Sequence, residues 1–309
     1  MSGDAVANPS LDADGAPLAP RSRGPWARAA RRFARRPVGV VALGGFAAIV
    51  VAGILGGRLA THPENEIDLT HVNQPSPPSL AGHHFFGTDY LGRDLYSQTM
   101  YGLHTSVLLT LAVAGVATAL GVVVGAVAGY NGGFLDALLM RSVDMVVTVP
   151  LMAVMLASLA YFIPLTPNRM ALVMMLYLWT GVARVVRASC AALRTREFVD
   201  AAHAAGASPA RIAIRHMLPN CSGPIIVAAT SVFGIALTVE ATLDFFNIGT
   251  AQISAGGPTL GNLIADATKY GPLSQAPWWT YALPSLVLVV LLLCVNFASD
   301  SLDDALVPA

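Results

Sequence analysis

The residues able to carry acid–base, nucleophilic or metal chemistry are sparse in this chain, and none falls into a catalytic frame. Lysine occurs once, at Lys269, followed by Tyr270 and preceded by no glycine frame. The phosphate loop G-x-x-x-x-G-K-[ST], which needs a lysine to reach the phosphates, is therefore absent, and the chain supplies no ATP site of its own. H-E-x-x-H, G-x-S-x-G and C-x-x-C are missing as well, which removes the common hydrolase and zinc frames. His83 and His84 are adjacent, but a pair in a loop falls short of the ligands a metal site needs and reads as plain loop. Cys190, Cys221 and Cys294 all lie in or beside apolar stretches and do not make a disulfide framework. Two charged sets remain: Asp89, Arg93 and Asp94, and the pair Glu240 and Asp244, one helical turn apart.

These residues must be held by membrane-spanning elements. The chain of 309 residues is 55% hydrophobic and only 12% charged, with a mean hydropathy of +0.61. A soluble protein carries about 25% charged residues. That shortfall argues against a soluble enzyme, a disordered regulator and a nucleic-acid binder. A spanning helix needs roughly 20 apolar residues. Val38–Gly57, Thr105–Tyr130, Met145–Ile163, Cys221–Val239 and Thr280–Ser299 are uncharged runs of that order. A further span from about Thr166 to Ala188 is allowed if Arg184 and Arg187 snorkel to one interface. Six spans are expected, in an all-α integral membrane fold.

All but one of the 18 basic residues are arginines, and their placement orients the chain. Seven (Arg21, Arg23, Arg28, Arg31, Arg32, Arg35, Arg36) precede the first span, and six (Arg184, Arg187, Arg194, Arg196, Arg211, Arg215) surround the segment between spans four and five. The positive-inside rule puts both sets in the cytoplasm and the acidic 61–102 loop outside. The expected organisation is a disordered, basic cytoplasmic tail over 1–37, a first span within 38–60 and an extracytoplasmic loop over 61–102. A five-helix core over 103–300 and a cytoplasmic tail over 301–309 follow. The apolar core of the first span is longer than that of a secretory leader, so it reads as a retained helix. Gly115, Gly121, Gly125 and Gly129 down span two predict close helix packing.

Between spans four and five, residues 195–220 combine helix-forming Ala201, Ala202, Ala204 and Ala205 with a break at Gly206. Ser208 as N-cap and Pro209 at the first helical position start a second short helix, which runs to about Met217 with Pro219 at or just beyond its end. Small residues let another backbone approach, and Arg211 and Arg215 at i, i+4 present charge to an acidic rim. From composition alone, a basic helix lying on the bilayer is an equal reading.

The spacing separates the two. Asp200-Ala-Ala, three residues, Gly206, nine residues, then His216-Met-Leu218-Pro219 resembles the E-A-A-x-x-x-G-x9-I-x-L-P motif of ABC importer permeases. Asp200 stands for Glu and His216 for Ile; Arg215 to Asn220 fits the Arg-His-aliphatic-Leu-Pro-Asn form of the peptide/nickel branch. Phe86-Gly-Thr-Asp-Tyr-Leu-Gly-Arg-Asp94, Gly132 to Asp144, Ala276-Pro-Trp-Trp279 and Leu302-Asp-Asp-Ala-Leu306 are similar to stretches of C-type permease subunits in that branch. The resemblance covers about residues 25–309. It implies a type I ABC importer permease fold with a cytoplasmic coupling helix, in the C-type subunit of a dipeptide/oligopeptide permease at the cell inner membrane.

The same resemblance implies a coupling segment formed by Glu197, Asp200, Ala201, Ala202, Gly206, Arg211, Arg215, His216, Leu218 and Pro219, docked on an ATPase. It implies a homologous second permease in a heterodimer, two ATPase domains that bind ATP and Mg, and an extracytoplasmic substrate-binding protein. This chain would itself hold no cofactor, bind no nucleic acid and catalyse nothing. A nickel, metal-chelate or haem importer stands as the alternative cargo, and a secondary carrier as the alternative class. Mid-membrane ionisable groups, usual in proton-coupled carriers, are nearly absent from the spans.

Asp89, Arg93 and Asp94 read as a mutual ion-pair set capping the second span, or as a loop that orders the outer mouth and touches the binding protein. Arg141 and Asp144, at i, i+3, read as an interfacial ion pair. Glu240 and Asp244 read either as an acidic lining of the outer pathway that favours a cationic group, or as a pair seeking the interface. At that stretch the family usually shows L-S-F-L-G-L-G, so Asp244 replaces a Ser and Asn247 a Gly.

Overall fold

The computed structural model describes residues 25–79, 84–161, 167–246, 257–269 and 276–306, and among them the ordered elements are helical apart from isolated bridges. The expected disordered tail over 1–20, together with Arg21, Arg23, His83 and Asn247, lies outside the described residues.

A short amphipathic helix α1 (Pro25–Ala34) leads into α2 (Pro37–Ile54), the first span, with Pro37 at a position that needs no backbone N–H. A single turn, α3 (Gly56–Leu59), ends it. α4 (Leu95–Asn131) has 37 residues, about 55 Å at 1.5 Å per residue. That exceeds the roughly 30 Å of hydrocarbon, so α4 projects beyond it and carries the loop before it. Asp94 caps its start, accepting Ser97 N–H at 2.8 Å.

The third span is not one straight helix. α5 (Gly133–Thr148) and α6 (Leu151–Tyr161) are bent by 71°. The reason is local: Pro150 offers no N–H and forces the residue before it out of helical geometry, and Val149 is extended at φ −86°, ψ 126°. α7 (Pro167–Arg194) is the fourth span, at 28 residues longer than the sequence suggested. The elbow follows, with α8 (Glu197–Ala204), α9 (Pro209–Ile212), a π-helical turn over Ala213–Met217 and α10 (Leu218–Asn220). The fifth and sixth spans are α11 (Ser222–Phe245) and α13 (Trp278–Leu306). Between them sits α12 (Leu260–Lys269), too short to cross and not anticipated. Five of the described helices are long and apolar enough to cross a membrane, or six if the bent α5–α6 pair is one span.

The core is α4 against α7, and glycine sets its spacing. A Cβ on Gly121 would lie 2.5 Å from Val182 Cβ, on Gly125 2.5 Å from the Ala183 carbonyl, and on Gly129 2.6 Å from the Arg187 carbonyl. Gly115 faces open space, so the expected stripe holds at three positions and not the fourth. Gly53 brings α2 against Val107 of α4, and Gly39 brings it against Ser301 of α13. Large apolar side chains such as Val41, Val123, Phe134 and Leu172 remain exposed, as expected of surfaces that meet lipid or another subunit.

Candidate functional site

The elbow between α7 and α11 is anchored from inside and open outside. Val199, Ile212, Met217 and Cys221 are buried, while Glu197, Asp200, Ala201, Gly206, Arg211, Arg215 and Pro219 are exposed and Ala202, His216 and Leu218 are half-buried. α8 starts with Glu197 and Asp200 in its first turn, where carboxylates meet the positive end of the helix dipole. It ends at Gly206, whose φ of +76° is a conformation that side chains with a Cβ rarely adopt, and nothing lies within 4 Å of the Cβ position. Ser208 and Pro209 start α9 as expected, although Ser208 makes no side-chain cap bond.

Pro219 does not end the helix. It lies inside α10, and the chain continues through it because the preceding turn widens to π geometry over Ala213–Met217. Asn220 Nδ2 donates to the His216 carbonyl at 2.6 Å, supplying a donor beside the proline that has none. At the next residue Cys221 Sγ meets Cys190 Sγ of α7 at 3.6 Å in the buried interior, with both thiols free. Tyr130 of α4 stacks on His203 of α8 with centroids 6.3 Å apart.

Three of the six arginines around the elbow are engaged by the preceding hairpin. Arg187 binds Asp136 with both Nε and Nη2, at 2.9 and 2.6 Å. Arg194 Nη1 donates to the Asn131 carbonyl at 3.2 Å. Arg184 Nη2 reaches Asp144 at 2.7 Å, so Asp144 pairs across to α7 and the expected Arg141–Asp144 pair does not form. Arg211 and Arg215 make no ion pair among the described residues and stay exposed. On the same side Arg36 pairs with Asp304, and Gly223 packs against Leu306 of the Leu302-Asp-Asp-Ala-Leu306 stretch.

At the opposite end, the Phe86 to Asp94 motif is a folded turn. Gly92, at φ +75°, lets Asp68 N–H reach its carbonyl at 2.9 Å. Asp89 Oδ1 accepts the N–H groups of Leu91 and Arg93, each at 2.9 Å, and its Oδ2 accepts Arg93 Nε at 2.7 Å. Arg93 Nη2 continues to Asp266 of α12 at 3.1 Å, and Asp266 also takes Lys269 at 2.5 Å. Burial works against charge on Arg93, but the Asp89 and Asp266 carboxylates outweigh it and raise its pKa above the ordinary arginine value. Asp94 is not part of that pair: it caps α4 and receives His84 Nδ1–H at 2.9 Å. Trp279 Nε1 donates to the Thr88 carbonyl at 3.3 Å, joining the two aromatic-containing motifs.

Glu240 and Asp244 require a correction. Both are 0% exposed, so neither lines a pathway surface nor seeks the interface in this chain. Ser106 Oγ of α4 donates to Glu240 Oε1 at 2.7 Å, and Thr259 Oγ1 donates to Asp244 Oδ2 at 2.6 Å. Leu260 N–H in turn donates to Ser106 Oγ at 3.3 Å, and Asn262 N–H to Thr259 Oγ1 at 3.2 Å. The acidic pair is thus a polar junction of α4, α11 and the start of α12. Gly261 allows it, since a Cβ there would lie 2.6 Å from the Ala241 carbonyl. α12 and Ser106, which complete this junction, carry no local signal in the sequence.

Comparison with known proteins adds to this geometry. Residues 121–309 match the family model described as binding-protein-dependent transport system inner membrane component. Residues 24–77 match the N-terminal TM domain of oligopeptide transport permease C. The chain is 35% identical over 289 residues, 93% of each protein, to a putative peptide transport system permease protein of Brucella suis biovar 1 (strain 1330). It is 34% identical over 281 residues, 90% of this chain and 93% of the relative, to the oligopeptide transport system permease protein OppC of Mycobacterium bovis (strain ATCC BAA-935 / AF2122/97). A chain of the inward-facing MetNI methionine ABC transporter matches in fold with a TM-score of 0.52 at 18% identity, over 68% of this chain and 96% of that one.

Proposed function

The chain belongs to the family of binding-protein-dependent transport system inner membrane components, and from that premise we propose that it is the transmembrane permease subunit of an ATP-driven peptide importer. Its fold is that of a type I ABC importer permease. Peptide cargo is supported by the relatives, which are named peptide and oligopeptide permeases. The nickel, haem and secondary-carrier alternatives have no such support.

The observation that carries the reading is the elbow over residues 197–220, with apolar anchors buried in the bundle and small or basic residues exposed on its outer side. Such a surface suits a cleft on an ATPase subunit, which would hold ATP and Mg while this chain holds neither. Glu197, Asp200, Ala201, Ala202, Gly206, Arg211, Arg215, His216, Leu218 and Pro219 form the docking segment in this reading. A homologous second permease completes the pathway, and a binding protein delivers the peptide at the face bearing Asp89 and Arg93. The elbow, the N-terminus and the C-terminus lie in the cytoplasm, which the arginine bias supports.

Closure of the ATPases would move the elbow as a lever. α11 leaves the elbow and carries Glu240 and Asp244, whose bonds to Ser106 and Thr259 tie it to α4 and α12. Asp266 of α12 then holds Arg93 of the outer turn. Displacement of the lever would therefore reach the outer loop through hydrogen-bonded contacts, in a rigid-body switch between inward- and outward-facing states.

The test is reconstitution in proteoliposomes with the second permease, the ATPases and the binding protein, measuring uptake of labelled peptides. ATP-dependent peptide uptake is expected. Uptake by this chain alone without ATP would establish a carrier instead, and ATP-driven uptake of a nickel chelate or haem with no peptide uptake would replace the cargo.

A further inference from the structure

The outer loop gathers three imidazoles that the sequence scatters over 23 positions, and the transport reading uses none of them. His62 and His84 stack with ring centroids 5.2 Å apart, and His71 meets His84 edge-on at 5.8 Å. Asp68 lies among them, with Oδ2 2.9 Å from His71 Nδ1 and 3.9 Å from His84 Nε2. One ligand atom each from Asp68, His71 and His84 lies within 4.8 Å of the others. We propose that Asp68, His71 and His84 form a binding site for a divalent transition metal ion of the zinc class, in the loop between the first two spans.

The orientation of His84 is the first argument. Its Nδ1–H is held by Asp94 Oδ1 at 2.9 Å, and the Asp94 side chain is only 2% exposed. Asp94 is fixed in turn, because Oδ2 caps α4 through Ser97 N–H at 2.8 Å. A carboxylate that takes one imidazole N–H sets the tautomer and leaves the other nitrogen as a lone-pair ligand, the arrangement found behind metal-bound histidines. Here that other nitrogen, Nε2, faces Asp68.

Asp68 supplies the second. Thr70 donates to Oδ1 from its hydroxyl at 2.6 Å and from its backbone N–H at 2.9 Å. These bonds occupy Oδ1 and leave Oδ2 facing the imidazoles, 2.9 Å from His71 Nδ1 and 3.9 Å from His84 Nε2. Two imidazoles and one carboxylate select a borderline first-row metal over calcium or magnesium, which take oxygen ligands. Three protein ligands leave a fourth position for water. An ion there would clasp the Asp68–His71 turn to the segment bridged at Ser79 and His84, beside the start of α4.

The test uses the full chain purified without a polyhistidine tag and stripped with a chelator. Co2+ is titrated while visible absorption is recorded, and Zn2+ is then used to displace it. One Co2+ per chain, with the intense visible bands of low-coordinate cobalt and displacement by Zn2+, is expected. His71→Ala and His84→Ala should each weaken the affinity at least about tenfold, the lower end for perturbing a metal shell, and Glu66→Gln should not. Unfolding temperatures in chelator establish that each variant is folded. If His84→Ala is destabilised, His71→Ala, at a more exposed position, decides. Absence of cobalt bands, or unchanged affinity in a folded His71→Ala chain, would overturn the proposal.

Discussion

Ser106 and Glu240, 134 residues apart in sequence, share a buried hydrogen bond of 2.7 Å between α4 and α11. Ser106 Oγ also accepts Leu260 N–H, so one hydroxyl joins three elements. Removing the donor to a buried carboxyl group leaves that acceptor unsatisfied, at a cost of roughly 1–3 kcal/mol. Ser106→Ala should lower the thermal unfolding temperature of the purified chain. Glu240→Gln, which keeps an acceptor at Oε1, should lower it less and leave the ranking of transported peptides unchanged. A selectivity change in Glu240→Gln without loss of stability would return this residue to the pathway.

The glycine face of α4 predicts a contrast along one helix. Gly125→Val places a side chain where Cβ alone already lies 2.5 Å from the Ala183 carbonyl and 2.8 Å from Val186 Cβ. Overpacking of this kind costs about 1–3 kcal/mol. Gly115→Val, with open space around it, should stay within about 0.5 kcal/mol. Thermal unfolding of the two variants in the same detergent checks the difference; equal destabilisation would contradict the packing assignment.

Arg93 bridges Asp89 and Asp266, and its raised pKa fixes the sign of its pH dependence. A base whose folded pKa is raised contributes stability that is complete below the unfolded value. It is lost only as pH rises through the folded value, above the ordinary arginine range. Arg93→Gln should therefore lower the unfolding temperature by the same amount at about pH 6 and about pH 9. A difference that vanishes at the higher pH would show that the bridge depends on another titrating group.

The elbow was legible because its chemistry is local. Gly206 needs no Cβ, and Ser208 with Pro209 is a helix start wherever it occurs, so a turn and two short helices follow from neighbouring residues alone. Most of the spans were legible for the same reason, since they are continuous uncharged runs; the fourth was legible only by letting Arg184 and Arg187 reach an interface. What was not legible depends on partners distant in sequence. Asp144 finds Arg184 on another helix in place of Arg141. Glu240 and Asp244 looked available to a pathway because Ser106 and Thr259 are invisible from their own helix. The bend before Leu151 falls at Pro150 inside an uncharged run, where apolarity alone shows no break, and the ten residues of α12 have too little apolar length to stand out from loop.

Gly206 separates backbone strain from docking. At φ +76°, Gly206→Val costs conformational energy, about 1–2 kcal/mol for left-handed backbone, whereas Asn tolerates that region better. Gly206→Asn should retain more stability than Gly206→Val, measured by thermal unfolding. If both weaken ATPase binding alike despite different stabilities, the open space at residue 206 is the determinant.

Capture of the ATPase subunits by the purified permease pair tests the central claim most directly, using Ala201→Trp in this chain. Ala201 is exposed on α8, so a bulky side chain there leaves the bundle intact while occupying the surface assigned to docking. The account predicts a folded permease with an unchanged unfolding temperature, at least tenfold weaker ATPase capture (about 1.4 kcal/mol) and a matching fall in ATP-dependent peptide uptake. Undiminished ATPase capture and uptake in Ala201→Trp would contradict it.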